Sequence, residues 1–248
     1  AVRSIDDGWV VGHAMDQRMP QQSVSKLWVA LTVMNAIDEG KLALTTPVTI
    51  TRGDLTLFHQ QIAYLMKNGA FNTTVGDLLR RALMMSDNTA NDKLLNLAGG
   101  PVAVRDFIAS RGLGNIRFGP GERLLQARTA GLPWKQEYSQ GNAFAQARAR
   151  LDPNVRRAAY QAYVADPPDG AGAGAIADAL ARLHHGMLLT PQSTNWLLDT
   201  MSHTRTGRAR IRAALPTGWS VAHKTGTGQD LGGRTAGFND VGILTAPD

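Results

Sequence analysis

The sequence has 248 residues, of which 43% are hydrophobic and 19% charged, a composition typical of a globular protein with one large domain or two interleaved ones. It contains no cysteine, which excludes disulfides, thiolate nucleophiles and cysteine-based metal sites. The net charge is +6, but the basic residues are scattered along the chain and form no stripe interleaved with aromatic residues, so the sequence does not predict nucleic-acid binding. No apolar run is long enough to span a bilayer, so it does not predict stable membrane insertion either.

The first predicted elements are a short strand and a buried helix. Residues 9–15 are typical of a strand, which leads into a turn near Pro20. From Ser23 to Ile37, apolar residues recur at helical spacing, and Gly40 is a natural end for the helix. Ser23 is therefore expected at or near the start of a largely apolar helix.

The middle of the chain is predicted to be mostly helical. Thr74 and Asp77 resemble a capping pair before one helix. Asn88 could cap the next helix, and Pro101 suits the first turn of a third. A further helix is expected to open at residues 190–191.

The C-terminal part returns to strand character. Two short apolar segments, residues 219–224 and 236–244, are separated by glycine-rich turns. Strands at both ends with helices between them predict an α+β fold, in which an antiparallel sheet is flanked by helices and carries an inserted all-helical domain. The sheet domain would comprise residues 1–51 and 190–248, and the helical domain residues 52–189.

The first motif with chemical meaning is Ser23-Val24-Ser25-Lys26. Residues three apart on a helix share a face, so the Lys26 amine can reach the Ser23 hydroxyl, which needs a base to become a nucleophile. Lysine serves as that base only if burial or nearby positive charge lowers its pKa. The alternative is a helix cap followed by a solvated lysine, but Lys26 heads an apolar segment, where an idle buried charge would be costly.

Two further motifs follow in the chain. Ser86-Asp87-Asn88 has a helix cap as its alternative interpretation. Lys224-Thr225-Gly226, followed by Thr227, lies on a predicted strand, where the glycine would let a substrate backbone approach closely. Its alternative interpretation is a strand end entering a turn.

Together and in this order, the three motifs resemble those of class A serine β-lactamases. The resemblance extends from about Trp9 to Pro247, and it includes Glu122-Arg123-Leu124-Leu125-Gln126, which is similar to the family's Glu-x-x-Leu-Asn segment. The residues preceding the third motif, 212–219, resemble the family's approach to its Lys-Thr-Gly strand.

The resemblance implies catalytic roles for four residues. Ser23 would attack the β-lactam carbonyl, with Lys26 as its close partner, and Ser86 would pass a proton to the departing ring nitrogen. Glu122 would activate the water that releases the acyl group. Whether Lys26, or Glu122 acting through water, is the base for acylation stays open.

The resemblance also implies an oxyanion hole and a substrate pocket. Backbone N–H groups of Ser23 and Thr227 would form the oxyanion hole. The substrate carboxylate would bind Lys224, Thr225 and Thr227 with a nearby arginine, for which Arg234 is the first choice and Arg210 the second. The complete set of predicted substrate-binding residues is Asn88, Gln126, Lys224, Thr225, Gly226, Thr227, Arg234 and Arg210.

Neither a metal nor a cofactor is predicted. His184-His185 has no partner ligands at metal spacing, so a solvated or capping role is favoured. Glu122 by itself could be a surface glutamate in a glycine-rich loop, and only the resemblance favours the catalytic role. Glu137 is a weaker competitor because it lacks the spacing.

Three features depart from the family pattern. Gln126 replaces an asparagine, which leaves the geometry of deacylation open. The loop that follows is enlarged over residues 127–170, where residues 142–151 and 153–165 are predicted to form two added helices. We expect this insertion to be a helical flap near the site entrance. Both chain ends look short, because the family's terminal helices and a further edge strand have no counterpart.

The leading functional hypothesis is a serine β-lactamase that acts as a monomer on a small-molecule β-lactam, in the periplasm or outside the cell, as the resemblance implies. A D-alanyl-D-alanine carboxypeptidase or esterase is the nearest alternative. A penicillin-binding module that is acylated but hardly turns over is the other. Glu122 favours hydrolysis, whereas Gln126 and the enlarged loop leave room for the alternatives.

Overall fold

The apolar segment after Ser23 forms the central helix of the molecule. In the computed structural model, which describes residues 1–247, a 3-10 helix over Gln22–Ser25 leads into helix α1 over Lys26–Asp38. Residues 26–34 of α1 are all buried, and apart from Lys26 and Thr32 they are apolar on every side of the helix. Gly40, just beyond the helix, has φ +72°, the left-handed conformation that commonly ends a helix.

Each strand pairs with one antiparallel partner. Those formed by the described residues are β1 (Val2–Arg3), β2 (Val10–Val11), β3 (Met19–Pro20), β4 (Pro47–Thr51), β5 (Ala70–Thr74), β6 (Gly170–Ala171), β7 (Ser220–Thr227), β8 (Asp230–Leu231), β9 (Arg234–Thr235) and β10 (Phe238–Thr245). The pairs are β1 with β2, β3 with β6, β4 with β5, β7 with β10, and β8 with β9. The β7–β10 pair is the longest, running from Thr227 opposite Phe238 to Ser220 opposite Thr245.

Two strand predictions need correction. The strand expected over residues 9–15 contains only β2, because Ala14 adopts φ +46° and its carbonyl accepts the Gln17 N–H, which makes a turn there. The glycine-rich turn expected after Lys224 begins later, because β7 continues through Thr227. Gly226 stays in the strand and packs closely against the 3-10 helix.

The predicted helix starts are largely confirmed. The remaining helices of the described chain are α2 (Val75–Met84), α3 (Asn88–Leu97), α4 (Gly100–Ser110), α5 (Glu122–Thr129), α6 (Ala143–Ala149), α7 (Pro153–Ala165), α8 (Ala173–His184) and α9 (Pro191–Ser202). Thr74 and Thr190 cap α2 and α9 through their side chains. The prediction that Asn88 caps α3 is wrong: the extended Asp87 does so, accepting the Ala90 N–H at 2.9 Å.

The main core surrounds α1. Helices α2, α3, α4 and α9 pack on α1, β7 contacts both α9 and the 3-10 helix, and α8 packs on β10 and β1. The core side chains from these elements include Trp28, Val33, Leu79, Leu94 and Leu197. This arrangement confirms the α+β class with antiparallel strands, while the division into residues 1–51 with 190–248 and residues 52–189 stays a prediction. None of the helices within residues 1–247 is long and apolar enough to cross a membrane.

Candidate active site

The first motif brings a buried amine against a serine hydroxyl. Lys26 Nζ donates to Ser23 Oγ at 2.7 Å, and the Lys26 side chain is completely buried. The same ammonium pairs with Glu122 Oε1, whose side chain is also buried. Lys26 therefore bridges the hydroxyl and the carboxylate, and neither the solvated-lysine nor the surface-glutamate alternative fits the structure.

The second motif lies at the junction of α2 and α3. Ser86 has φ +58°, a conformation that a non-glycine residue rarely adopts, and its Oγ accepts a hydrogen bond from Lys224 Nζ at 2.9 Å. Asn88 Nδ2 donates to the Leu57 carbonyl at 2.8 Å. Among the described residues, none donates to the buried Asn88 Oδ1.

The third motif runs beside the nucleophile. A Cβ placed on Gly226 would overlap the Gln21 carbonyl oxygen and lie 3.1 Å from Val24 N and 3.3 Å from Ser23 N. Only glycine therefore allows β7 to approach the 3-10 helix so closely. This contact brings the Lys-Thr-Gly strand to the backbone of Ser23.

Two lysines thus share one buried region. Burial lowers the pKa of Lys224 well below its ordinary value, and repulsion from Lys26 lowers it further. Burial and then the same two lysines lower the pKa of the nearby His59. The hydroxyls at 23 and 86 and the amines at 26 and 224 therefore surround a single site.

Glu122 is held at the first turn of α5 by a second carboxylate. Asp92 Oδ1 accepts the Glu122 N–H at 2.8 Å, and Asp92 Oδ2 accepts the Arg123 N–H at 3.1 Å. The preceding Gly121 has φ +96°, and a Cβ there would lie 2.9 Å from Leu95 Cδ2. Burial, and then repulsion from Glu122, raises the pKa of Asp92. The competitor Glu137 is exposed and lies 3.8 Å from Lys135 instead.

Gln126 contacts both Glu122 and Gln22, the residue before the nucleophile. Its Nε2 donates to Glu122 Oε2 at 3.3 Å and to Gln22 Oε1 at 3.0 Å. The carboxylate of Glu122 therefore has one oxygen on Lys26 and the other on Gln126. The longer side chain in place of asparagine still reaches Glu122.

The two candidate arginines differ in their distance from the third motif. Arg210 Nη2 donates to Thr227 Oγ1 at 2.5 Å, and its guanidinium carbon lies 3.8 Å from the centroid of the Phe238 ring. Arg234, the first choice, lies exposed in β9, where its backbone pairs with Leu231 of β8 and its carbonyl accepts the Tyr160 hydroxyl at 2.8 Å. Its side chain makes no hydrogen bond or ion pair with the other described residues. Arg210 reaches the motif because it precedes β7 in a loop that folds back on it.

Thr225 and Thr227 of the third motif differ in exposure. Its side chain is nearly buried, and its Oγ1 lies 2.6 Å from Thr206 Oγ1. Thr227, by contrast, is exposed at the end of β7. Thr227 is therefore better placed than Thr225 to meet a ligand from solvent.

The enlarged segment lies beside the site, where the sequence predicts a flap. Phe144 of α6 packs edge-on against Phe58, with 5.5 Å between ring centroids. One turn later in the same helix, Arg148 Nη1 donates to Gln229 Oε1 at 3.2 Å, and Gln229 Nε2 donates to the Gln126 carbonyl at 2.8 Å. Helix α6 thus connects the loop between β4 and β5 with the turn after β7.

Three polar residues near the nucleophile were not predicted from the sequence. Gln22, with φ +54°, donates its backbone N–H to Asp169 Oδ2 at 2.8 Å, and the Tyr163 hydroxyl donates to Asp169 Oδ1 at 2.9 Å. The only signal for Gln22 is its position next to Ser23. Asp169 lies in a Pro-Pro-Asp-Gly stretch that is typical of a turn, and Tyr163 occupies an ordinary buried position of α7.

The described chain offers no metal centre. Within residues 1–247, no cluster of three or more His, Asp or Glu side chains could hold a metal ion. The reactive groups at the site are two hydroxyls, two amines and a carboxylate, a set that supports nucleophilic catalysis with proton transfer.

Comparisons with known proteins show what this chain is similar to. The model of the Beta-lactamase enzyme family matches residues 1–248. Extended-spectrum beta-lactamase PER-1 of Pseudomonas aeruginosa is 32% identical over 235 residues, which make up 94% of this chain and 65% of that protein. Beta-lactamase L2 of Stenotrophomonas maltophilia is 30% identical over 94% of this chain and 63% of its own length, so the chain spans a little under two thirds of these relatives.

Solved structures extend the similarity to the fold. A beta-lactamase from Chitinophaga pinensis superposes with a TM-score of 0.77 at 27% identity, covering 99% of this chain and 78% of that one. An ancestral class A beta-lactamase reaches a TM-score of 0.72 at 28% identity, also over 99% of this chain and 78% of its own.

Proposed function

Because this chain belongs to the beta-lactamase enzyme family, we propose that it is a serine hydrolase that opens the amide bond of a β-lactam ring. The observation that carries the proposal is the position of Lys26, whose Nζ contacts both the Ser23 hydroxyl and the Glu122 carboxylate. One buried amine thus connects the nucleophile with the group that would activate water.

In the acylation step, Ser23 Oγ bonds to the carbonyl carbon of the β-lactam and its proton passes into the Lys26–Glu122 pair. The carbon–nitrogen bond then breaks, and the ring nitrogen takes a proton from Ser86. Lys224 Nζ, 2.9 Å from Ser86 Oγ, is placed to return a proton to that hydroxyl. The proton held by the Lys26–Glu122 pair then returns to Lys224, so the net change is transfer of the Ser23 proton to the ring nitrogen.

The developing oxyanion needs donors that are already oriented. Backbone N–H groups at the start of a helix have no partner within it and carry a partial positive charge. Ser23 lies in such a first turn, and the close approach of β7 at Gly226 brings the backbone of the third motif to it. We assign the oxyanion hole to the N–H groups of Ser23 and Thr227.

In the deacylation step, Glu122 takes a proton from a water molecule, whose oxygen attacks the ester carbon. The bond to Ser23 Oγ breaks, and Ser23 Oγ takes the proton that Glu122 removed from the water. Both oxygens of the Glu122 carboxylate are held, one by Lys26 and the other by Gln126, so the base is oriented before water arrives.

The substrate carboxylate would bind where positive charge meets an exposed hydroxyl. Lys224, Thr227 and Arg210 supply these groups, and Arg210 already contacts Thr227. We therefore prefer Arg210 to Arg234 for this role. Asn88 and Gln126 would contact the remainder of the substrate.

We also propose an oligomeric state, a location and a biological role. We infer a monomer that acts on β-lactam antibiotics in the periplasm or outside the cell, without a cofactor, and that thereby contributes to antibiotic resistance. The alternatives are a D-alanyl-D-alanine carboxypeptidase or esterase and a slowly deacylating penicillin-binding module. The buried Glu122 in contact with Lys26 favours hydrolysis over both.

The test measures turnover and acylation together. Nitrocefin hydrolysis and intact-protein mass are recorded for the wild type, Ser23→Ala and Glu122→Ala, with release of D-alanine from a D-alanyl-D-alanine peptide as the comparison. We expect Ser23→Ala to lose both nitrocefin signals and Glu122→Ala to accumulate acyl-enzyme. Equal activity of all three proteins would refute the proposal. D-alanine release without nitrocefin turnover would select the carboxypeptidase instead.

A further inference from the structure

A chain of buried hydrogen bonds joins the enlarged segment to Glu122. Gln126 Nε2 donates to Gln22 Oε1 at 3.0 Å, and Gln22 Nε2 donates in turn to the Tyr163 hydroxyl at 2.5 Å. The Tyr163 hydroxyl donates onward to Asp169 Oδ1 at 2.9 Å. All four side chains are buried, so each hydrogen bond forms away from water, where its loss is costly.

The series of hydrogen bonds continues from Gln126 to the guanidinium of Arg148. Gln229 Nε2 donates to Gln126 Oε1 at 3.1 Å, and Arg148 Nη1 donates to Gln229 Oε1 at 3.2 Å. Every member therefore donates in the same direction, from the Arg148 guanidinium towards the Asp169 carboxyl. A neutral amide between a donating guanidinium and an accepting carboxyl group has one favoured orientation. If the amide were reversed, its NH2 group would face a donor and its oxygen would face an acceptor.

This orientation matters at Gln126, because its amide is the only member that also touches Glu122. With Nε2 turned towards Gln22, the second hydrogen of the same group can reach Glu122 Oε2 at 3.3 Å. The reversed amide would place its carbonyl oxygen against the carboxylate, which is repulsive. A glutamine has one more rotatable bond than an asparagine, so its amide needs an external anchor to stay in this orientation.

Tyr163 supplies that anchor from the enlarged segment. It lies in α7, and its hydroxyl accepts from Gln22 while donating to Asp169. Asp169 also accepts the backbone N–H of Gln22, which adopts φ +54° directly before Ser23. One carboxyl group thus holds both the backbone and, through Tyr163, the side chain of Gln22.

We propose that Tyr163 and Gln22 are positioning residues for deacylation, which orient the Gln126 amide and through it the Glu122 carboxylate. This proposal rests on the proposed β-lactam hydrolysis, and it gives the enlarged segment a role in the chemical step. Neither residue touches the reacting atoms. Their loss should therefore slow attack by water without preventing attack by Ser23.

The chain offers a matched control on the same helix. Tyr160 lies one turn before Tyr163 in α7, and its hydroxyl donates to the Arg234 carbonyl at 2.8 Å. Tyr160→Phe therefore removes a tyrosine hydroxyl and its hydrogen bond from α7 but leaves the path to Gln126 intact. Gln22→Met is a second test variant, which removes the amide while keeping the side-chain length, in case Tyr163→Phe does not fold.

The experiment separates acylation from deacylation in folded proteins. Mass spectrometry after rapid quenching gives the acylation rate with nitrocefin, and decay of the isolated acyl-enzyme gives the deacylation rate. We expect Tyr163→Phe to slow deacylation about tenfold or more while acylation stays within about threefold of wild type. Tyr160→Phe should leave both rates within about twofold.

Three outcomes would overturn the proposal. Deacylation of Tyr163→Phe equal to that of Tyr160→Phe would show that the hydroxyl does not orient the base. An equal loss of acylation and deacylation would show a purely structural role. A wild-type protein that nitrocefin does not acylate would remove the proposed function itself, a result distinct from either of the others.

Discussion

The backbone N–H of Gln22 donates to the side chain of Asp169 at 2.8 Å, although the two residues are 147 positions apart in the chain. The end of the enlarged segment is thereby attached to the residue that precedes the nucleophile. Asp169 is almost completely buried, and among the described residues no cation forms an ion pair with it. Its ionisation therefore affects both the stability of the fold and the geometry of the site.

The first prediction concerns the pH dependence of stability. Burial raises the pKa of the Asp169 carboxyl from 3.8 to about 6, against the hydrogen bonds from Gln22 and Tyr163, which lower it. The folded protein therefore binds this proton more tightly than the unfolded chain does. The protonated Asp169 carboxyl stabilises the folded state fully at low pH, and this stabilisation is lost as the pH rises through about 6. Asp169→Asn removes this titration.

Urea unfolding of the wild type and Asp169→Asn measures the effect. From about pH 4.5 to about pH 7.5, the unfolding free energy of the variant should gain about 2 kcal/mol relative to wild type. Asp166→Asn, in the same loop but exposed, is the control substitution. A constant difference between Asp169→Asn and wild type across this range would contradict the prediction.

The second prediction tests the contact between the third motif and the nucleophile. In Gly226→Ala, the new methyl group would overlap the Gln21 carbonyl and push β7 away from the 3-10 helix. We expect a loss of about 1–3 kcal/mol of stability from overpacking. Acylation should fall by about a hundredfold or more, because displaced donors no longer face the oxyanion.

Thermal unfolding and quenched acylation of Gly226→Ala provide the measurements. Gly53→Ala is a suitable control, because a Cβ there would meet only Thr51 Oγ1 at 3.7 Å and its φ is not in the left-handed region. Acylation of Gly226→Ala at the wild-type rate would show that this close approach is not needed for the chemistry.

The third prediction distinguishes the two arginines. Arg210→Ala removes a cation that contacts Thr227, so we expect kcat/KM for a β-lactam with a free carboxylate to fall about tenfold. Arg234→Ala should change it less than about twofold, because that side chain is exposed on β9. The effect of Arg210→Ala should shrink for the methyl ester of the same substrate.

Steady-state kinetics with the acid and its ester give this comparison directly. Similar losses for both substrates would show that Arg210 supports the strand through the Asn239 carbonyl, which it contacts at 2.6 Å, and does not bind the carboxylate. A larger loss in Arg234→Ala than in Arg210→Ala would restore the order suggested by the sequence.

The sequence by itself determined the features that depend on neighbouring residues. Ser23 and Lys26 meet because a helical turn brings residues three apart onto one face. The start of α7 was predictable because Asp152 caps it and Pro153 suits its first turn, and Thr74 and Thr190 mark the starts of their helices. These signals act within a few residues and need no knowledge of the rest of the chain.

Other features were decided only by the tertiary structure. Arg210 and Arg234 have the same chemistry, and only the path of the loop before β7 determined which of them reaches Thr227. Likewise, nothing near Tyr163 in the sequence indicates that its hydroxyl meets Gln22. Local sequence patterns report periodicity and capping, whereas contacts between distant residues depend on how the whole chain closes around its core. The positions that orient Glu122 therefore became visible only in the folded molecule.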